Sequence, residues 1–214
     1  MGRLGLDVLF DLDGTLVDSR PGIRRALLEA VEAVFPGRDL GGIEFAIGPP
    51  VREILQRSLE ETSPEELDRL EVAFRASYDG GAWRESNAYS GVHETLAELR
   101  RRGFHCHIVT YKPASPTMQI LGELDLRRYV DEVVCADSRE PRFRSKAEMI
   151  RYLMEKLGIP QGKALYVGDS ADDWSAAEEC GLAFIGVEYG YGTFLQTEAA
   201  PRSIRSLRDL ILII

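Results

Sequence analysis

The sequence predicts an α/β protein: a parallel sheet flanked by helices, interrupted after its first strand by an all-helical insertion. Three observations carry this expectation. Short apolar runs alternate with longer stretches of helical periodicity, the pattern of successive βα units. Residues 19–87 break that alternation, with apolar residues at helical spacing and no convincing strand. Acidic clusters directly follow two of the expected strands, at the edge where open α/β sheets gather ligand-binding groups.

The elements follow in order. The first strand is Leu6–Phe10. Beyond it, Ile23, Leu27, Ala30, Val31 and Val34 share a helix face, as do Val51, Ile54, Leu55 and Leu59. Ser63-Pro64-Glu65-Glu66 reads as an N-cap, a proline in the first turn and a capping-box glutamate ahead of Leu67, Leu70 and Phe74. Roughly 70 residues without a strand are too many for a loop in a compact domain. Residues 19–87 are therefore expected to form a helical cap domain. Residues 1–18 and 88–214 are expected to form the core, with the cap roofing the site. A helix through Val92, Leu96 and Leu99 stops near Gly103, and the second strand is Cys106–Thr110. The third strand is Val133–Cys135. A helix through Ala147, Ile150, Met154 and Leu157 ends before Gly158 and Pro160. The fourth and fifth strands are Ala164–Val167 and Ala183–Val187, and Ile204, Leu207 and Ile211 form the last helix.

Composition narrows the function. A net charge of -9 makes nucleic acid a poor first partner, because neutralising its phosphates calls for a basic surface. No run of about 18 apolar residues suggests a membrane span, and the first residues lack the apolar stretch of a secretory signal. Cys106, Cys135 and Cys180 are odd in number and widely spaced, which suggests a reducing, cytoplasmic setting. Only four lysines occur: Lys112, Lys146, Lys156 and Lys163.

Four strand ends hold the groups that carry chemistry. Asp11 and Asp13 are two residues apart after the first strand, so an extended chain sends both to one side, and Gly14 then permits a turn. Ordinary turn chemistry also favours Asp and Gly. Asp169, Asp172 and Asp173 follow the fourth strand. A helix N-terminus accounts for Asp172 or Asp173, but not for Asp169, which emerges straight from the strand. Two like charges at 4 Å cost about 4 kcal/mol near a protein surface, so such a gathering calls for a cation. Oxygen-only ligands suit Mg²⁺. Thr110 ends the second strand, where its hydroxyl suits a phosphate oxygen or simply satisfies strand-end backbone. Lys146 opens a helix, against the dipole preference, which favours an anionic partner there.

Asp11-Leu12-Asp13-Gly14-Thr15-Leu16-Val17-Asp18-Ser19, Val109-Thr110-Tyr111-Lys112-Pro113, Lys146 and Gly168-Asp169-Ser170-Ala171-Asp172-Asp173 together resemble the four motifs of the haloacid dehalogenase-like superfamily. The chain is most similar to its phosphoglycolate phosphatase-like members, with a Rossmann-like core and a helical cap after the first strand. Gly48-Pro49-Pro50-Val51-Arg52-Glu53 resembles the cap loop of those members, and Gly186-Val187 with Gly190-Tyr191-Gly192 resembles the loop after the fifth strand. The resemblance implies that Asp11 is the nucleophile and Asp13 the acid–base. It implies Mg²⁺ on Asp11, the Asp13 backbone carbonyl and Asp169, with Asp173 in support. Thr110 and Lys146 would then hold the transferring phosphoryl group, with Lys112 the rival lysine. Lys146 is followed by Ala147 where many relatives carry proline, and Tyr111 stands where many carry Asn or Ser. Asp172 reads as a surface residue.

The resemblance implies a Mg²⁺-dependent phosphatase acting on a small phosphorylated metabolite. Asp13 argues against dehalogenase chemistry, and residues 19–87 contain no lysine for a Schiff base. The histidines, His93, His105 and His107, lie outside the cap, which weighs against a mutase. The alternation of His105 and His107 suggests an exposed strand face. Arg52 is the candidate for the non-transferring end of the substrate, with pairing to Glu53 or near Glu60 as the competing reading; Arg20 is a weaker candidate. Phosphotransfer, pyrophosphate hydrolysis and a non-catalytic binding role remain the alternatives.

Overall fold

The computed structural model describes residues 6–41, 43–59, 61–192 and 201–214. The chain divides into two compact units, Met1–Asp18 with Ala88–Ile214, and Ser19–Asn87. The larger unit is a six-stranded parallel sheet: β1 (Asp7–Phe10), β2 (His105–Thr110), β3 (Glu132–Cys135), β4 (Ala164–Gly168), β5 (Ala183–Val187) and β6 (Ser203–Ile204). Their spatial order is β3-β2-β1-β4-β5-β6. The order reverses between β1 and β4, the switch point beyond whose strand ends α/β sheets bind ligands. All four residues of β1 are buried, as expected for a central strand covered on both faces.

Its helices are α4 (Val92–Arg101), α5 (Ala114–Glu123), α6 (Lys146–Leu157) and α7 (Ala171–Glu179). Leu9, Val109 and Tyr166 from the sheet form one core with Met149, Ile150 and Leu153 of α6 and Ala176 and Ala177 of α7. Gly158 ends α6 in the left-handed region, at φ 64°, as its sequence signal predicts.

The smaller unit holds α1 (Arg20–Val34), α2 (Val51–Ser58) and α3 (Pro64–Gly80), with α1 packed along α3. Ile23, Leu27, Ala30 and Val31 of α1, and Leu67, Leu70 and Phe74 of α3, are buried. The capping box at Ser63 forms: its hydroxyl accepts the Glu66 N–H at 3.2 Å, and the Glu66 carboxylate accepts the Ser63 N–H at 2.9 Å. No helix among the described residues is long and apolar enough to cross a membrane.

Two expectations are corrected, and one helix is added to those expected. Ile204 is not helical: it pairs with Val187 as the sixth strand, and a 3₁₀ turn over Leu207–Leu212 buries Leu207 and Leu210. That strand is too short to show a period of its own. His107 is fully buried rather than exposed, with its Nε2 2.9 Å from Asp7 Oδ1. Both faces of β2 are covered, so alternation along it carries no exposed face. Helix α5 has no counterpart in the expected elements, because Pro116 and a polar run mask its periodicity, yet Ile120 and Leu121 are buried.

Candidate active site

Asp11 directly follows β1. Its N–H donates to the Val167 carbonyl at 2.9 Å, extending the ladder with β4 one residue past the strand and fixing where the carboxylate begins. The chain then turns, with the N–H groups of Leu16 and Val17 converging on the Leu12 carbonyl at 3.0 and 2.9 Å. Gly14 sits at φ 85°, and a Cβ there would run into the Asp169 carboxylate. The glycine therefore serves both the backbone conformation and the approach of two acidic strand ends.

Asp11, Asp169 and Asp173 form a buried cluster in which one carboxylate oxygen from each lies within 4.8 Å of the others. Asp169 Oδ2 accepts the N–H groups of Tyr191 and Gly192 at 2.6 and 3.1 Å. No side chain fits at Gly190, where a Cβ would come within 2.6 Å of the Gly14 carbonyl oxygen. Asp173 divides its carboxylate. Oδ2 caps α7 through Ser170, accepting the hydroxyl at 2.6 Å and the N–H at 3.1 Å. Oδ1 faces the Lys146 ammonium at 2.5 Å and accepts from the Tyr166 hydroxyl at 3.3 Å.

Lys146 is the first residue of α6, and its Nζ also lies 3.0 Å from Asp11 Oδ1. Its place at a helix start is thus accounted for by two carboxylates reaching it from β1 and α7. Burial works against its charge, but Asp11 and Asp173 outweigh that and raise its pKa well above the ordinary lysine value. Burial pushes the Asp11 carboxyl up, opposed by Lys146 and reinforced by Asp173, Asp169 and Asp13. Asp169 is raised too, chiefly by burial and then by Asp173. One ammonium among three buried carboxylates leaves an excess of negative charge, which suits a divalent cation on oxygen ligands.

Thr110, buried at the end of β2, accepts the Lys112 N–H on its Oγ1 at 3.2 Å, a bond that does not use the hydroxyl proton. The residues beside it supply contacts that the sequence did not disclose. The Tyr111 hydroxyl accepts the Lys146 N–H at 2.9 Å, and its ring centroid lies 5.3 Å from the Lys146 ammonium. Lys112 Nζ meets Asp13 at 3.1 and 3.0 Å, one contact to each carboxylate oxygen. The two lysines therefore separate by partner: Lys146 joins Asp11 and Asp173, and Lys112 joins Asp13. Position beside a strand end was the available signal for Tyr111 and Lys112. Tyr166, inside a strand, carries no such signal. Asp172 is exposed, as expected.

Tyr111→Phe is expected to keep the ring and lose the acceptor at the start of α6. Stability should fall by about 1 kcal/mol, the usual loss for one such hydrogen bond. Turnover should fall about 3- to 10-fold as Lys146 loses part of its fix, read by thermal unfolding beside steady-state kinetics.

Arg52 lies on α2 of the smaller unit. Its guanidinium is held by Asp68 Oδ1 at 2.6 Å and Glu71 Oε2 at 2.7 Å, both on α3. Glu53 pairs with Arg57 instead. Glu60 lies outside the described residues. Partners 16 and 19 residues away are invisible to local spacing. Arg20 opens α1 and is exposed.

The chain is similar to known proteins over nearly its whole length. Phosphoglycolate phosphatase 1 of Pseudomonas aeruginosa is 34% identical, covering 98% of this chain and 79% of its own. The phosphoglycolate phosphatase of Vibrio vulnificus strain CMCP6 is 32% identical, covering 96% of each chain. A solved structure of a predicted phosphatase from Clostridium acetobutylicum matches with a TM-score of 0.84 and 30% identity, over 99% of this chain and 100% of that one. Residues 8–187 match the family model for haloacid dehalogenase-like hydrolases, and the chain belongs to that family.

Proposed function

We propose that this phosphatase of the haloacid dehalogenase type hydrolyses a small acidic phosphomonoester in two steps, through an aspartyl-phosphate on Asp11. The observation that carries the reading is the placement of Asp11 at the switch point, buried and 3.0 Å from a lysine ammonium shared with a second carboxylate. An Asp11 oxygen attacks phosphorus, the bond to the ester oxygen breaks, and that oxygen leaves with a proton from Asp13. Water then attacks the phosphorus of the acyl phosphate, Asp13 takes its proton, and Asp11 is regenerated. Thr110 and Lys146 hold the equatorial phosphoryl oxygens, so that positioning and charge neutralisation supply most of the rate.

Mg²⁺ fits the residues present, since three buried carboxylates converge within 4.8 Å and all the donors are oxygens. Asp11, the Asp13 backbone carbonyl and Asp169 would hold it, with Asp173 in support. When bound, it offsets the negative charge of the carboxylates and of the phosphoryl group. The sheet unit is read as the catalytic core and residues 19–87 as its cap. Arg52, held by Asp68 and Glu71 through one guanidinium nitrogen, is kept as the candidate for the non-transferring end of the substrate. Three buried free cysteines fit a reducing, cytoplasmic setting.

The relatives' names make 2-phosphoglycolate the first substrate to try. The test is phosphate release from 2-phosphoglycolate, sugar phosphates, nucleoside monophosphates and pyrophosphate, with Mg²⁺ and with chelator. The expected result is Mg²⁺-dependent release that is fastest with 2-phosphoglycolate. Release that is indifferent to chelator contradicts the metal assignment. A preference for pyrophosphate contradicts the substrate class.

A further inference from the structure

Lys112 is a buried lysine that the two-step scheme does not use. Its side chain is only 5% exposed, whereas that of Asp13 is 21% exposed. The ammonium meets both Asp13 oxygens, at 3.1 and 3.0 Å. An ammonium that meets both oxygens holds the carboxylate in place and sets the direction in which it points. The lysine is itself held. Its N–H donates to Thr110 Oγ1 at 3.2 Å, Pro113 follows it, and the next N–H, that of Ala114, donates to Asp137 Oδ1 at 2.8 Å. Exposed ion pairs contribute little, but here the cation is buried and the anion is mostly so.

We infer that Lys112 is a positioning residue for Asp13, setting the orientation from which that carboxylate exchanges protons with the leaving oxygen and with water. This rests on the reading of Asp13 as the acid–base. When Asp13 carries a proton, one oxygen stays on Lys112 while the other presents the proton to the leaving oxygen. After transfer to the leaving oxygen, both oxygens return to the ammonium. When water attacks the acyl phosphate, its proton goes to the oxygen that Lys112 releases. Lys112 exchanges no proton itself.

The position predicts a leaving-group signature. Alkyl phosphates need a proton on the departing oxygen, whereas p-nitrophenyl phosphate departs without one. Lys112→Met, Lys112→Gln and Lys112→Arg are compared with wild type and Asp13→Asn on the best alkyl phosphate and on p-nitrophenyl phosphate. General acid help is typically about 10²–10⁴-fold, and a loosened acid should lose about 10- to 100-fold of it. Lys112→Met and Lys112→Gln should therefore lose about 10- to 100-fold in kcat on the alkyl phosphate, with KM little changed. Formation of the phosphoenzyme from p-nitrophenyl phosphate should slow less than about 3-fold, and its breakdown should slow enough to give a burst of p-nitrophenol. Lys112→Arg, which can also meet both oxygens, should recover part of the loss. Equal losses on both substrates without a burst, or a rise in KM and in the inhibition constant of inorganic phosphate, would mean that Lys112 holds phosphate and would overturn the inference. Asp13→Asn serves as the control. If it lacks the signature, the reading of Asp13 fails; if it shows the signature and the Lys112 variants do not, the inference alone fails. Thermal unfolding of each variant identifies a folding defect, and Lys112→Arg keeps the comparison open if the shorter side chains do not fold.

Discussion

Replacing Asp11 with asparagine is expected to lower kcat by at least about 10³-fold, roughly 4 kcal/mol of barrier, while the fold persists. The amide keeps the shape of the side chain but cannot attack phosphorus. The stability side of this prediction has a definite sign. Burial raises the Asp11 carboxyl, so the folded state binds its proton more tightly than the unfolded chain does. The stability gained from that proton is fully present below the unfolded value of about 3.9 and is lost as pH rises through the folded value. Asparagine has no such dependence. At neutral pH with chelator present, Asp11→Asn should be at least as stable as wild type, and its advantage should vanish in acid. Thermal unfolding at several pH values reads this directly. Turnover within 10-fold of wild type would remove Asp11 as the nucleophile.

The second large effect belongs to Lys146. Its ammonium is shared by Asp11 at 3.0 Å and Asp173 at 2.5 Å, and its side chain is 5% exposed. Lys146→Met should destabilise the metal-free protein by about 3–5 kcal/mol, because two buried carboxylates lose their partner. It should also lower kcat about 10²- to 10³-fold by removing a phosphoryl-holding charge. The raised lysine pKa gives the pH window. The contribution is fully present below the unfolded value of about 10.4 and is lost as pH rises through the folded one. Pairing Lys146→Met with Asp173→Asn should restore part of the stability and none of the activity, since the two residues share one network. Urea unfolding of the two single variants and the double variant measures this coupling. Wild-type stability in Lys146→Met would contradict the buried network.

The groups legible in the sequence are those whose position follows from a strand end. Asp11 and Asp169 leave β1 and β4 at the point where the sheet order reverses, and their places directly after apolar strands were enough to put both at the same edge of the sheet, while the adjacency of those two strands was not. Lys146 was legible by contradiction, as a cation at a helix start that the dipole disfavours. The helical stretch of residues 19–87 was legible through its capping box and apolar period. What escaped depends on pairing across the chain. The partners of Arg52 lie on another helix. Lys112 reaches Asp13 across 99 residues, and Tyr111 reaches Lys146 across 35. His107 was misread because exposure was inferred from alternation, which a sheet covered on both faces does not obey. Ile204 was misread because a two-residue edge strand takes its identity from β5 and not from its own pattern.

The most direct measurement is to trap the intermediate. Wild-type enzyme is mixed with Mg²⁺ and its best phosphomonoester, quenched in acid over a single-turnover time course, reduced with borohydride and mapped by peptide mass spectrometry. The account predicts homoserine at position 11, rising and falling as phosphate is released, and absent in Asp11→Asn. Label at another residue, or phosphate release with position 11 unmodified throughout the time course, would contradict it.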